Sequence, residues 1–111
     1  MPFIRTSALP PREPLPGWVG RFFHSEHLTF VYYEVAPGAQ VDPHHHENEE
    51  VWNVVEGELE MTVDGATTVL RPGEAAVVPA DVEHAARALG RCRAIVVDYP
   101  ARDSVGGVDV R

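Results

Sequence analysis

The sequence predicts a single-domain, all-β protein, folded as a sandwich or a closed barrel. After Trp18, short runs of β-branched, aromatic or alternating apolar residues follow one another, and turn-forming residues separate them. A helical period is never sustained over the roughly ten residues that a helix needs. Because sandwiches and barrels consist of many short strands joined by turns at this interval, the pattern favours them over other fold classes.

The strands can be placed in order from these signals. The first is the run LTFVYYEVA, which Pro37-Gly38 ends. Asp64-Gly65 is typical of a two-residue hairpin, and the run before it alternates apolar and polar residues. Strands are expected at residues 28–36, 50–55, 58–63, 66–70, 75–78, 84–88 and 93–99.

The two ends of the chain differ from the part between them. Five of the ten prolines lie in residues 1–17, so this proline-rich N-terminal arm can form neither a helix nor a central strand. We expect an extended segment, either a loose arm or a clasp across a dimer partner. The barrel is expected over residues 18–102. The tail, residues 103–111, carries Gly106-Gly107 and offers little to pack.

The balance of charge excludes two kinds of partner. The 111 residues include nine basic and seventeen acidic side chains, and the formal net charge is -8. Binding to phosphates requires a basic face, so we expect no nucleic-acid partner. The same charge opposes docking on an anionic membrane surface.

Cysteine usage and hydropathy indicate the compartment. Cys92 is the only cysteine, so no disulfide can form within the chain, which fits a reducing environment. The opening residues MPFIRTSALPP lack the apolar run of a secretion signal, and no stretch approaches the length of a membrane span. We therefore expect a cytoplasmic protein.

Histidine and glutamate residues in the middle of the chain have the spacing of metal ligands. His44 and His46 lie two apart, so strand alternation puts them on one face and His45 on the other. Glu50 opens the next strand after a bend, and His84 must come from a separate strand. Imidazole nitrogens and a carboxylate oxygen are ligands that Fe, Mn, Zn and Ni accept. The expected ligands of one divalent metal ion are His44, His46, Glu50 and His84.

Other ionisable residues nearby are expected to play ordinary roles. Glu47 and Glu49 are typical of a solvated acidic bend, although Glu49 would replace Glu50 as a ligand if Glu50 pointed away. His24 and His27 stand alone in the sequence, and an isolated histidine is more typical of a surface or core residue than of a ligand.

The proposed ligands lie within two motifs that resemble those of single-domain cupins. The first cupin motif, G-x5-H-x-H-x3/4-E-x6-G, has every fixed position filled by Gly38, His44, His46, Glu50 and Gly57. In the second, G-x5-P-x-G-x2-H-x3-N, Gly73, Pro79 and His84 match, while Asp81 and Ala88 replace a glycine and the asparagine. The resemblance implies a jelly-roll β-barrel and the same metal ligands. It leaves the reaction open, because cupins include oxygenases, isomerases and non-catalytic binders.

The end of the last predicted strand is similar to that of small cupins that linearise unsaturated uronates from pectin or alginate. The similarity rests on the run Pro100-Ala101-Arg102-Asp103, and it implies that Arg102 holds the sugar acid. The acid that those enzymes carry earlier on the strand has no direct counterpart, since Val96 falls near its place and Asp98 follows two residues later. Because this match is missing, we favour a plain surface role for Arg102 over sugar-acid binding.

Several side chains near the expected metal could take part in proton transfer or substrate binding. Tyr32 and Tyr33 point to opposite faces of one strand, so only one reaches the interior, and alternation alone does not say which. Asp98 is a further candidate acid or base, and Arg102 is a candidate for binding an acid. Alternation along its strand sends Trp52 inward, either as a wall of a substrate pocket or as barrel core.

The predicted function is that of a metal-dependent enzyme acting on a small, oxygen-rich molecule. Iron would favour dioxygenase-type cleavage, whereas zinc, manganese or nickel would act as a Lewis acid in the isomerisation of a sugar acid. Neutral imidazoles and one carboxylate leave a charge of about +1 on a divalent ion, which would attract an anionic or enolic substrate. The alternative is a non-catalytic metal- or ligand-binding module. We also expect a homodimer, from the resemblance and the proline-rich arm.

Overall fold

Twelve β-strands and one short 3-10 helix make up the regular structure of residues 3–111, which are the residues that this computed structural model describes. The helix is Thr6–Ala8. The strands are β1 Arg12–Leu15, β2 Trp18–His24, β3 Thr29–Val35, β4 Gln40–His44, β5 Glu49–Glu56, β6 Leu59–Val63, β7 Ala66–Leu70, β8 Ala75–Val78, β9 His84–Ala88, β10 Cys92–Tyr99, β11 Ser104–Val105 and β12 Val108–Asp109. Within residues 3–111, no helix has the length and apolarity needed to cross a bilayer.

Two antiparallel sheets pack their apolar faces together. The six-stranded sheet has the order β1-β2-β3-β10-β5-β8, and the four-stranded sheet has the order β4-β9-β6-β7. β11 and β12 form a separate hairpin. Many sheet neighbours are distant in sequence, such as β10 between β3 and β5, which is the connectivity of a jelly roll. The predicted all-β jelly-roll barrel is therefore confirmed.

The core lies between the two sheets and follows the alternation of the strands. On β3, Val31, Tyr33 and Val35 are buried, while the residues between them face outward. On β6 of the opposite sheet, Leu59 and Met61 are buried in the same way. The inner faces of the sheets thus enclose an apolar interior, and the candidate site lies at one end of it.

Two turns show why glycine stands where the sequence has it. At the hairpin between β6 and β7, Asp64 and Gly65 have φ angles of 50° and 81°, and the strands pair without a bulge. Gly57 has a φ of 77°, and a Cβ at this position would lie 2.2 Å from the carbonyl oxygen of Arg91. A side chain at Gly57 would therefore force the backbone apart.

All of the predicted strands are present, and their ends agree with the prediction within one residue. The sequence patterns did not indicate β1, β2, β4, β11 or β12. β4 is mostly exposed and contains Pro43, so its strand signal is weak. Its conformation depends on pairing with β9, where His44 stands opposite His84. Pairing between distant segments, which local patterns do not report, decides this strand.

The N-terminal arm lies against its own chain. Residues 12–15 form β1 and pair with β2 at the edge of the six-stranded sheet, a position that tolerates the proline within β1. Arg21 of β2 donates hydrogen bonds to the carbonyl oxygens of Ser7, at 3.3 Å, and Leu9. Met1 and Pro2 of the predicted arm lie outside the described residues.

The C-terminal tail packs more closely than the sequence suggests. Gly106 and Gly107, with φ angles of 55° and 80°, close the β11–β12 hairpin. This turn returns the chain to the barrel, where Val110 is 3% exposed within the hydrophobic core. The expectation that the tail offers little to pack is wrong, because the glycine turn brings its apolar residues back to the core.

Candidate metal centre

Residues from three strands and one loop converge at one end of the barrel. His44 ends β4 and pairs in register with His84, the first residue of β9. His46 lies in the connection from β4 to β5, and Glu50 lies on the buried face of β5. One ring nitrogen of each histidine lies within 4.8 Å of the other two. The fold therefore brings together all of the expected ligands.

The backbone sets the orientation of each imidazole ring. The Nδ1 atom of each histidine lies within hydrogen-bond distance of a carbonyl oxygen two residues away. A carbonyl oxygen only accepts, so Nδ1 carries the proton and Nε2 keeps its lone pair. The Nδ1 to oxygen distances are 2.9 Å for His44 and Asp42, 3.0 Å for His46 and Asn48, and 2.9 Å for His84 and Val82.

The donor atoms fit a divalent metal ion. The Nε2 atoms of His46 and His84 are buried and have no hydrogen-bond partner among the described residues. The Glu50 carboxylate lies 3.6 Å from Nε2 of His46 and 3.2 Å from Nε2 of His84. Ligands about 2.1 Å from one ion stand roughly 3–4 Å apart. Inward lone pairs at these separations could hold an ion, which would also satisfy the otherwise unpartnered nitrogens.

Glu50 is the ionised carboxylate of the site. It is 3% exposed, accepts a hydrogen bond from Nε1 of Trp52 at 2.5 Å and lies 3.5 Å from Nη1 of Arg102. Burial alone would raise its pKa, but the adjacent imidazoles of His46 and His84 hold the pKa well below its usual range. Glu50 therefore points into the site, and Glu49 is exposed.

Asp98 is a second buried carboxyl group beside Glu50. The two residues stand opposite each other in the pairing of β10 with β5, and Asp98 is 1% exposed. Burial, a hydrogen bond with Glu50 and the negative charge of Glu50 raise the pKa of Asp98 to about 10. Its Oδ1 atom has no hydrogen-bond partner in residues 3–111. One ligand atom of Asp98 also lies within 4.8 Å of a ligand atom of His46 and of Glu50. Asp98 could therefore reach an ion bound by the histidines and Glu50.

The structure decides between the two candidate tyrosines. Tyr33 is 7% exposed and lines the cavity beside the site, whereas Tyr32 lies on the outer face of the same strand. Burial, together with the charges of Glu50 and Asp98, raises the pKa of Tyr33, so its phenol is neutral. Tyr32 therefore has no access to the site.

Arg102 lies inside the site and not on the outer surface. Its side chain is 17% exposed and lines the cavity next to Glu50. The backbone N–H of Arg102 donates to Oγ1 of Thr29 at 2.8 Å, which ties the end of β10 to the start of β3. The same Thr29 hydroxyl contacts Nδ1 of His24 at 2.8 Å.

The neighbouring histidines and acids fall where alternation predicts. His45 and Glu47 are exposed and point away from the cluster, and His27 is exposed beside Glu26. His24 is partly buried, and its Nε2 donates to the carbonyl oxygen of Val110 at 2.8 Å, so it anchors the C-terminal hairpin.

Asn48 is a site residue that the sequence analysis missed. Its carbonyl oxygen orients His46, and its side chain, 8% exposed, donates to the carbonyl oxygen of Pro100 at 2.6 Å. The signal in the sequence is slight, an amide between two glutamates in a bend. Asn48 joins the loop that carries His46 to the segment that carries Arg102.

A cavity of about 640 Å³ opens beside these residues. His44, Glu50, Asp98 and Arg102 lie along it, and Trp52 contributes to one wall. Trp52 is also 4% exposed and packs edge-on against Trp18, with ring centroids 5.7 Å apart. Both sequence interpretations of Trp52, as pocket wall and as core, therefore describe it.

Comparison with known proteins agrees with this architecture. The Cupin domain family matches residues 31–98. KdgF from Halomonas sp. is 29% identical with a TM-score of 0.86, covering 93% of this chain and 96% of that one. An RmlC-like cupin from Shewanella frigidimarina is 28% identical with a TM-score of 0.87, covering 93% of this chain and 94% of that one.

A curated relative extends the comparison to a named biosynthetic protein. Polyketide synthase CurC from Streptomyces cyaneus is 36% identical over 78 residues, which are 66% of this chain and 51% of that protein. The chain thus spans about half the length of the curated relative that it matches.

Proposed function

The chain belongs to the cupin domain family, and from this premise we propose that it is a metal-dependent enzyme acting on a small, oxygen-rich anion. The observation that carries the proposal is the meeting of two features in one cavity. His44, Glu50 and the buried acid Asp98 line it. The Nε2 atoms of His46 and His84, which have no hydrogen-bond partner among the described residues, lie 3.6 Å and 3.2 Å from the Glu50 carboxylate. A site built only to store an ion has no need of an acid and an open cavity beside it.

A divalent ion would be held by the Nε2 atoms of His44, His46 and His84 and by the carboxylate of Glu50. Iron, manganese, zinc and nickel all suit this donor set. When bound, such an ion supplies Lewis-acid polarisation of a substrate oxygen. The charge of about +1 that remains on this centre adds to that of Arg102, so this end of the cavity attracts an anion.

Three protein side chains would carry out the remaining steps. Arg102 binds the acidic group of the substrate through guanidinium N–H groups that Glu50 leaves free. Asp98, neutral at pH 7, donates a proton from its carboxyl group to one atom of the substrate, and the resulting carboxylate takes a proton back from another, so that Asp98 is restored. The phenol of Tyr33 donates a hydrogen bond to a substrate oxygen, while the apolar walls exclude water. Isomerisation by proton transfer, as in the sugar-acid cupins, uses all three groups.

Dioxygenase-type cleavage of an enol or diketone is the second candidate reaction. The similarity to a protein named polyketide synthase favours it, because polyketide chains carry enolisable 1,3-dicarbonyl groups. The same donor set on a six-coordinate iron ion would leave about two positions open. A non-catalytic binding module is the remaining alternative.

The test begins with elemental analysis of protein purified without a histidine tag. The metal-loaded protein is then assayed by ultraviolet absorbance with an unsaturated galacturonate and with acetylacetone, while an electrode follows oxygen. We expect one ion per chain and turnover that Asp98→Asn lowers by about 100-fold or more at unchanged metal content. The control, Asp64→Asn, changes an exposed hairpin aspartate and should leave turnover intact.

The outcomes separate the three functions. Turnover without oxygen uptake indicates isomerisation, and turnover with oxygen uptake indicates a dioxygenase. A full complement of metal with no change in either compound would favour the binding module, and protein that takes up no metal would refute the metal-dependent function altogether.

We also propose that the protein is a homodimer that pairs through the outer face of the six-stranded sheet. Strand register places an apolar row across this face, and the rings of its first two members stack with centroids 4.8 Å apart. The row is Phe23, Phe30, Val97, Val51 and Val77. Glu34 and Arg93 stand opposite each other on the same face, and adjacent charges of opposite sign suit a two-fold contact.

A cytoplasmic location is supported by the lone, buried thiol of Cys92.

A further inference from the structure

The cavity beside the candidate metal centre has a polar end and apolar walls. Glu50, Asp98 and Arg102, which are ionisable, meet at one end of it. The walls away from that end are apolar, and they come from both sheets, from β1 and from the C-terminal hairpin. They include Leu15, Trp18, Val31, Val41, Val96 and Val105.

Few polar side chains lie along the rest of the lining, and some of their groups already have partners. Gln40 and Asp42 are exposed on β4, and the Gln40 amide donates to the Asp42 carboxylate at 3.3 Å. The indole N–H of Trp52 already donates to Glu50 at 2.5 Å. A ligand hydroxyl placed along the aliphatic walls would lose its hydrogen bonds to water and gain none. The donors that remain along the rest of the lining are the indole N–H of Trp18, which has no partner among the described residues, and the phenol of Tyr33.

The aromatic part of the wall is rigid. Trp18 packs edge-on against Trp52 and against Tyr33, with ring centroids 5.7 Å and 5.4 Å apart. Trp18 is 1% exposed, so its ring cannot turn away without opening the core. Such a wall favours a flat apolar body over a flexible or polyhydroxylated one.

The polar end favours a negatively charged head group. Nη1 of Arg102 lies 3.5 Å from one oxygen of Glu50, a single contact that leaves most of the guanidinium donors free. A cavity of about 640 Å³ lies within the size range of small-molecule sites and has room for more than a head group.

We propose that the cavity takes a carboxylate- or enolate-bearing molecule whose body is an apolar ring system, and not a polyhydroxylated sugar acid. This inference rests on the proposed function for the metal beside the head group, and of the two candidate reactions it favours cleavage of an enol or diketone over isomerisation of a sugar acid. The apolar walls that select the body belong to the protein alone.

The test compares two acids of equal charge by isothermal titration calorimetry on zinc-loaded and metal-free protein. The probes are 3-hydroxy-2-naphthoate, which has an apolar body, and D-galacturonate, which has a polyhydroxylated one. We expect the naphthoate to bind at least about tenfold more tightly in both forms, because only its body gains from burial against the walls.

Two variants assign the preference to particular side chains. Val105→Asn places an amide in the apolar wall and should weaken naphthoate binding about tenfold, whereas Val69→Asn on β7, which does not line the cavity, should not. Arg102→Gln should weaken binding of 3-hydroxy-2-naphthoate more than that of 2-naphthol, which lacks the carboxylate.

Galacturonate binding as tightly as the naphthoate, or no binding of either acid, would overturn the inference. Tight galacturonate binding to zinc-loaded protein would leave the metal-dependent function standing. Protein that takes up no metal would instead refute the proposed function, and the metal-free titration would still report on the walls.

Discussion

At the scale of single residues, the candidate metal centre depends on which nitrogen of each histidine is free. The two sequence motifs predict His44, His46 and His84 as ligands, but they do not predict how the imidazole rings are oriented. Carbonyl oxygens of nearby residues accept from Nδ1 in all three rings and leave Nε2 for an ion. The short loops around the histidines therefore orient the site before any metal binds.

Replacing one ligand should lower both metal content and stability. His46→Ala removes a buried nitrogen ligand, so metal content should fall below one ion per chain. The melting temperature should drop by roughly 10 °C, because a metal ion present at about 100 times its Kd stabilises the folded state by that amount. Elemental analysis and calorimetry measure the two effects. His45→Ala, an exposed neighbour, is the matched control. EDTA should lower the melting temperature of the unmodified protein to that of His46→Ala, and an unchanged metal content in that variant would contradict the assignment.

Asn48 should influence metal affinity without being a metal ligand. Asn48→Ala loses the hydrogen bond to Pro100 and loosens the carbonyl that orients His46, so metal affinity should fall about tenfold. Asn53→Ala is the control, because the Asn53 amide also donates to a carbonyl, that of Ile95 at 3.2 Å, outside the site. Urea unfolding of the metal-free proteins should show a similar loss of about 1 kcal/mol for each variant. Equal metal affinities in a competition titration would rule out the positioning role.

At the scale of elements, strand alternation and register assemble the site. The sequence places Tyr32 and Tyr33 on opposite faces of β3, but the packing of the two sheets decides that Tyr33 faces inward. Pairing of β10 with β5 sets Asp98 opposite Glu50, which creates a buried pair of carboxyl groups from segments far apart in the chain. Neither relation is visible in a local pattern, since each depends on which strands become neighbours.

Substitution of Gly57 should destabilise the protein more than substitution of Gly65. In Gly57→Ala the added Cβ would meet the carbonyl oxygen of Arg91 at 2.2 Å in a left-handed conformation, so the free energy of unfolding should fall by about 2–4 kcal/mol. Gly65→Ala has the same backbone conformation with no atom within 4 Å, and it should cost only about 1–2 kcal/mol. Urea denaturation of both variants measures the difference. Equal losses would show that the carbonyl contact at Gly57 is relieved at no cost.

At the scale of the whole molecule, the two surfaces of the six-stranded sheet have different roles. The inner face holds the core and the cavity, and the outer face carries the apolar row from Phe23 to Val77. Val77 is 62% exposed, which is unfavourable for an isolated chain but suits contact with a second copy. The N-terminal arm pairs with β2 of its own chain through residues 12–15, and its Ser7 and Leu9 contact Arg21 on the outer face. We therefore propose that the dimer forms through the apolar row and not through the arm.

Sedimentation should show the mass of two chains at micromolar concentration. Val77→Glu places a charge in the proposed interface and should shift the protein towards one chain, because the charge would have to lose its hydration on association. Thr68→Glu, an equally exposed change on β7 of the other sheet, should leave the dimer intact. A mass of one chain for the unmodified protein would refute the dimer.

Patterns in the sequence are enough to predict the fold class, most of the strands and the set of expected metal ligands. These follow from local physics. Alternation with a period of two predicts a strand, and Asp64-Gly65 predicts a tight hairpin. The expectation that His44 and His46 share a strand is wrong, because β4 ends at His44, and the connection that follows it orients His46.

The side chains that surround those ligands are set by contacts formed in the folded chain. The tertiary structure brought Asp98 and Arg102 to Glu50, chose Tyr33 over Tyr32, and folded the glycine-containing tail back onto the core. The physical reason is that these contacts join segments that are far apart in the chain. Their energies depend on the pairing and packing of the whole barrel, which no short stretch of sequence contains.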